Sequence, residues 1–204
     1  MAWRVALTFD AEHPDRPHAA GATERVLDRL AAAGIVATFF VQGRWAEAYP
    51  GLARRIATDG HLVGNHSHYH ARMPLLSAAG LVEDVTDAQT AILEATGVDP
   101  RPWFRCPFGK GTDDPTVLAG LERLGYREVR WHVEGPDWPP ATDGLALADV
   151  MADAAVAHGD GAVILLHPWT DATATGLPRL LDRLVAADAS FVRVDALDGL
   201  PGDP

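Results

Sequence analysis

Short apolar runs alternate with amphipathic stretches along the whole of this 204-residue chain, and that alternation constrains its fold more than any other feature. RVALTF (4–9), VATFFV (36–41), HLVGN (61–65), REVRW (127–131), AVILLH (162–167) and SFVRV (190–194) have the length and content of strands. Residues 22–33, 46–59, 77–96, 115–124, 145–158 and 177–187 are the helix candidates between them. In 77–96, Leu81, Val85, Ala88, Ile92 and Ala95 fall at helical spacing, and Gly97 supplies the stop. Strands that return through helices build a parallel sheet by right-handed crossovers, either doubly wound or closed into a barrel. In both architectures the chemistry gathers at the C-terminal ends of the strands.

Composition narrows the class further. With 48% hydrophobic and 22% charged residues and no apolar run of membrane-spanning length, the chain reads as one soluble domain, residues 1–204. A net charge of -11 without any Lys/Arg cluster would be repelled by a phosphate backbone or an anionic bilayer, so neither nucleic acid nor membrane is an expected partner. Cys106 is the sole cysteine, which excludes an internal disulfide framework and fits a reducing compartment. The start MAWRVALTFD lacks the leader pattern, so a cytoplasmic location is expected, although a secreted form with its leader removed would read the same. The Pro-rich residues 131–142 read as a long ordered loop of the kind that carries function.

The strand ends supply a short list of polar residues. Asp10 and Glu12 follow the first strand two positions apart, so in an extended backbone both would project to one side and repel unless a positive group lay between them. HSHYH offers two ligand geometries: His66 and His70 share a face on a helical turn, whereas His66, His68 and His70 share one on an extended segment. Either suits a divalent metal, and one carboxylate added to two imidazoles leaves positions open for water and substrate. In RCPFG, Arg105 could hold a carboxylate bidentately, and the turn that follows can aim backbone N–H groups into a cavity. No helix N-terminus or general base is evident beside Cys106, which reads as a buried spacer. Asp137 lies in the Pro-rich loop and His167 ends AVILL. Trp138 and Trp169, close to them in sequence, could be apolar walls on which a sugar ring stacks.

In this order the pieces resemble the polysaccharide deacetylase family, the NodB homology domain of carbohydrate esterase family 4. TFDAE stands for the family's TFDD, HSHYH for H-S/T-x-x-H, RCPFG for R-x-P-Y-G, PDW for the D-W motif and LLH for L-x-H. The resemblance implies a deformed (β/α) barrel of about seven strands and metal-dependent removal of an N-acyl group, usually N-acetyl, from an amino sugar or oligosaccharide. By matching position, Asp10 would be the catalytic base, His66 and His70 metal ligands, Arg105 the residue that holds Asp10, Asp137 the partner of the acid and His167 the general acid. The usual second Asp, a ligand, is Ala11 here, and Glu12 fits the variant that places the acidic ligand one residue on. Phe108 replaces the family's Tyr, and its main-chain N–H can still serve as an oxyanion donor. Zn is the expected ion, with Co, Ni and Fe compatible with the same donors. Two alternatives accompany this reading: a C–N hydrolase acting on a formyl sugar or an allantoin-like ureide, and a relative that binds carbohydrate without hydrolysing it.

Overall fold

The structure is a computed structural model that describes residues 3–16 and 19–200. The chain divides into two compact units, one formed by residues up to Asp10, the segment to Thr38 and Trp131–Leu200, the other by Ala11–Arg16 and Phe39–Arg130. Among the described residues the expected α/β alternation is present, with seven strands and seven α-helices in the chain. No helix among them is long and apolar enough to cross a membrane.

The first unit is built on β1 (Trp3–Ala11), whose residues from Val5 onward are buried. A strand covered on both faces must be apolar throughout, as VALTF nearly is. β6 (Ala162–Leu166) pairs with it in parallel from Val5↔Ala162 to Phe9↔Leu166, and β7 (Ala189–Val192) pairs in parallel from Trp3↔Ala189 to Ala6↔Val192. Thr8, the polar exception, donates its hydroxyl to Ile164 O at 2.7 Å. Three helices belong to this unit: α1 (Ala22–Ala33), α6 (Gly144–His158) and α7 (Asp171–Ala186). α7 begins six residues before the helix expected at 177. Pro178 reads in sequence like a first-turn proline, but Thr170 caps the helix upstream, its Oγ1 accepting the Thr173 N–H, and Pro178 lies inside. Residues 131–142 do form an ordered loop, fastened where Val133 bridges Ile164.

In the second unit the strands run in the order β2 (Thr38–Val41), β3 (Leu62–Asn65), β4 (Trp103–Phe104), β5 (Arg127–Glu128). β4 is absent from the sequence-based list because two residues of PWF carry no readable period. It is a strand because Phe104 pairs with Asn65 and Glu128 while its ring sits in a core with Met73, Val85, Cys106, Leu121 and Tyr126. The helix expected over 46–59 is two, α2 (Gly43–Ala48) and α3 (Pro50–Thr58). Proline disfavours helical backbone in the residue before it, and Tyr49 accordingly leaves the helix at φ -128°, ψ 55°. α4 (Ala78–Thr96) matches its expected span, capped by Ser77 Oγ on the Gly80 N–H and ended by Gly97 at φ 75°, a left-handed conformation that glycine adopts without strain. α5 (Pro115–Arg123) completes the unit.

Candidate metal centre and acid pair

HSHYH leaves the end of β3 as neither helix nor strand. Ser67 (φ 66°) and His70 (φ 58°) both take left-handed backbone, and this double turn brings His66 and His70 to one point while His68 goes elsewhere. Buried groups the motif does not contain hold the turn in place. Asp84 on α4 accepts the N–H groups of His68 (3.2 Å) and Tyr69 (3.0 Å), and Asn65 Oδ1 accepts that of Ser67 at 2.8 Å. Gln42, just past β2, donates its Nε2 to His68 O at 3.0 Å and accepts the His13 N–H on Oε1 at 2.9 Å.

Glu12 meets the two histidines. Its Oε2 lies 3.0 Å from His66 Nε2 and is also in contact with His70 Nε2. One ligand atom from each of Glu12, His66 and His70 lies within 4.8 Å of the others, the only such cluster of metal-binding groups among the described residues. His66 Nδ1 is 2.9 Å from the Arg105 carbonyl, which can only accept, so Nδ1 carries a proton, and in the neutral ring Nε2 presents a lone pair toward a carboxylate oxygen. Two acceptors facing each other in a buried site need a positive charge between them. Burial lowers the His70 pKa, against the opposing pull of Glu12, and so favours the neutral imidazole that binds metal. A divalent ion fits this donor set, two imidazoles and one carboxylate, with the carbonyl behind His66 fixing its tautomer as such ligands require.

His13 (φ 59°) and Phe108 (φ 57°) share the left-handed backbone of Ser67 and His70, so four of the five non-glycine residues with positive φ among those described surround this centre. Conformations of this kind cost about 1–3 kcal/mol each and persist where their surroundings impose them, which happens most at functional sites. The half-exposed Phe108 ring meets His70 edge-on at 4.4 Å between centroids, and the Arg72 guanidinium lies 4.5 Å from its centroid.

Arg105 is fully buried. Its Nε donates to Val129 O at 3.0 Å and its Nη2 to Arg130 O at 3.3 Å, and the guanidinium lies over the Phe40 ring at 4.1 Å. Cys106 beside it is buried as the sequence suggests, and burial pushes its thiol pKa upward, which removes it as a nucleophile at neutral pH.

In the first unit Asp137 and His167 form a pair. Asp137 Oδ1 accepts from His167 Nδ1 at 2.7 Å, while Oδ2 accepts the His167 backbone N–H at 2.8 Å and the Thr173 hydroxyl at 2.5 Å. The proton on Nδ1 leaves Nε2 as the atom that can exchange one with a reactant. Trp138 and Trp169 flank the imidazole edge-on at 5.9 and 5.8 Å; Trp138 is 49% exposed and Trp169 only 6%. Asp10, near the end of β1, is buried at 3% exposure.

Gln42, Asp84 and Thr173 are the site residues that sequence reasoning does not single out, and His13, next to Glu12 in the sequence, has no role that the sequence assigns. Asp84 had a signal, a carboxylate on the apolar stripe of Leu81, Val85 and Ala88, and Gln42 ends an apolar strand as His167 does. Thr173 had none.

Residues 2–129 match the family model described as polysaccharide deacetylase. The peptidoglycan-N-acetylglucosamine deacetylase PgdA of Listeria monocytogenes is 33% identical over 196 residues, covering 96% of this chain and 39% of that protein. A chitooligosaccharide deacetylase of Sinorhizobium fredii is 37% identical over 191 residues, covering 92% of this chain and 78% of the relative. The solved structure of a family 4 carbohydrate esterase from Streptomyces lividans in complex with acetate superposes with a TM-score of 0.78 at 31% identity, covering 93% of this chain and 91% of that one. That likeness bears out the expected fold class, the seven-stranded α/β fold of the NodB-like deacetylases. The chain spans 39% of the length of the first of these relatives.

Proposed function

We propose that this chain, which belongs to the polysaccharide deacetylase family, is a metal-dependent hydrolase that removes an N-acyl group, N-acetyl in the first instance, from an amino sugar or its oligosaccharide. The observation that carries the reading is Glu12 Oε2 set against two imidazole nitrogens, His66 Nε2 and His70 Nε2, in a buried cluster that calls for a cation.

Amides resist hydrolysis because the carbonyl is weakly electrophilic and the amine leaves poorly. A divalent ion held by Glu12, His66 and His70, most simply Zn with Co, Ni or Fe as substitutes, would polarise the carbonyl and lower the pKa of the attacking water. Asp10 takes the proton from that water, and Arg105 is the residue assigned to hold its carboxylate. The Phe108 N–H donates to the oxygen that gains charge. His167 gives the proton on Nε2 to the departing nitrogen, while Asp137 orients the ring and stabilises its positive charge. Trp138, exposed beside His167, supplies a face for the sugar ring, and Trp169 backs the imidazole from within.

The test is acetate release from N-acetylglucosamine oligomers. Turnover that is abolished by chelation, restored by added ion, and lowered about 100-fold or more by Asp10→Asn is the expected result. Full turnover by metal-free protein would overturn the metal's role. Turnover of a formyl sugar or a ureide in place of the acetylated oligomers would move the substrate class, and saturable oligosaccharide binding without turnover of any acylated sugar would make the chain a binding protein.

A further inference from the structure

We propose that His13 is the positioning residue of the metal centre, holding Glu12 so that only one carboxylate oxygen faces the ion. This inference rests on the metal-site reading above. The two oxygens of Glu12 have divided partners: Oε2 meets His66 and His70, and Oε1 lies 2.9 Å from His13 Nε2. A carboxylate oxygen only accepts, so His13 Nε2 carries its proton there and acts as a donor, not as a fourth ligand. His13 is accordingly absent from the cluster whose donor atoms lie within 4.8 Å of one another.

The His13 ring is itself fixed. It packs edge-on against the His70 ring, 4.5 Å between centroids at 69°, and its side chain is 14% exposed. Its backbone is held by Gln42, which accepts the His13 N–H on Oε1 at 2.9 Å while its own N–H reaches Ala11 O at 2.9 Å. One residue, through its backbone at Ala11 and its side chain at His13, therefore clamps the segment between them, with His13 at φ 59° turning the ring back onto Glu12.

Ala11 has no ligand atom, and the carboxylate is supplied by a glutamate one residue on. Glutamate has one more rotatable bond than aspartate and more freedom to lose when it binds. A donor on Oε1 selects one orientation and blocks bidentate attachment, which keeps coordination positions open. Groups that hydrogen-bond a ligating carboxylate are typically responsible for about 10- to 100-fold in metal affinity.

The experiment titrates the metal-free full chain with Zn or Co against a competing chelator, for the parent, His13→Ala, His13→Leu and His13→Gln, with thermal unfolding of each metal-free protein as the fold control. Ala and Leu lack the donor, and Leu keeps bulk against His70; Gln restores an N–H donor. The expected result is metal affinity lower by about 10- to 100-fold in the Ala and Leu variants and within a few-fold of the parent in the Gln variant. Parental affinity in a folded Ala or Leu variant would overturn the proposal, as would a Gln variant that falls as far as they do. A parent that binds neither ion overturns the metal-site reading itself, so the two failures are distinguishable.

Discussion

Asp137 accepts three hydrogen bonds, two from His167 and one from Thr173, so the proposed acid pair is part of a triad in which the threonine fixes the carboxylate against the imidazole. A hydrogen bond to a charged group contributes about 1.5–3 kcal/mol, and each 1.36 kcal/mol in a barrier is about tenfold in rate. Thr173→Val keeps the shape and removes the donor. We expect kcat/KM on the N-acetylated oligomer to fall about tenfold to about a hundredfold, with Thr173→Ser recovering most of it, as measured by steady-state acetate release. Wild-type kinetics in the valine variant would show that the two His167 contacts suffice.

The two helices that follow Asp137 and His167 in the chain, α6 and α7, are set against each other by two glycines. A Cβ placed on Gly176 of α7 would stand 2.3 Å from Gly144 O of α6, and one on Gly144 would stand 2.3 Å from Ala172 O. Backbone meets backbone there, and the contact lies within one turn of Thr173. Helix propensity alone favours Gly176→Ala by up to about 1 kcal/mol. The clash, which only a shift of one helix relieves, opposes it by about 1–3 kcal/mol. The contact wins by that comparison, so Gly176→Ala is expected to lower the urea midpoint and, by displacing Thr173, kcat/KM as well. An unchanged or raised midpoint would mean that the two helices separate freely. The caps argue at the same scale: α6 starts at Gly144 because Asp143 accepts the Leu145 and Ala146 N–H groups at 2.9 and 3.2 Å, close to the start expected from sequence, whereas α7 starts where Thr170 caps it and not where its proline suggests.

Stability against pH belongs to the whole molecule, and Glu128 makes a definite contribution to it. Burial raises its pKa to about 7, with Arg105 and Arg130 opposing incompletely; Arg130 Nε stands 3.6 Å from its Oε2, beyond ordinary hydrogen-bond length. The folded protein therefore binds a proton that the unfolded chain gives up near pH 4.5. This contribution is fully present below about pH 4.5 and is lost as pH rises toward 7. Glu128→Gln cannot ionise, so relative to the parent it should be no more stable near pH 4 and more stable at pH 8, by at most about 3 kcal/mol. Urea unfolding of both proteins across that range measures the difference, and a difference independent of pH would refute the assignment.

The α/β alternation is legible in the sequence alone, because most of its strands and helices announce their period within a few residues. The sequence also supplied the candidates for the proposed metal site and acid pair, because His66, His68 and His70 share one short motif and Glu12, Asp137 and His167 each end a strand or stand in a recognisable loop sequence. Tertiary structure decided the rest. The choice of His70 over His68 depends on left-handed turns at Ser67 and His70, which no side-chain pattern specifies and which Asp84 and Gln42 impose from other elements. β4 exists because neighbouring strands and a core claim two residues that carry no period of their own. Thr173 joins Asp137 across 36 positions of sequence, and His13 joins a carboxylate whose other oxygen belongs to two more distant histidines. Such hydrogen bonds depend on where folded elements bring single polar atoms, and a linear sequence records only which atoms are available to be brought.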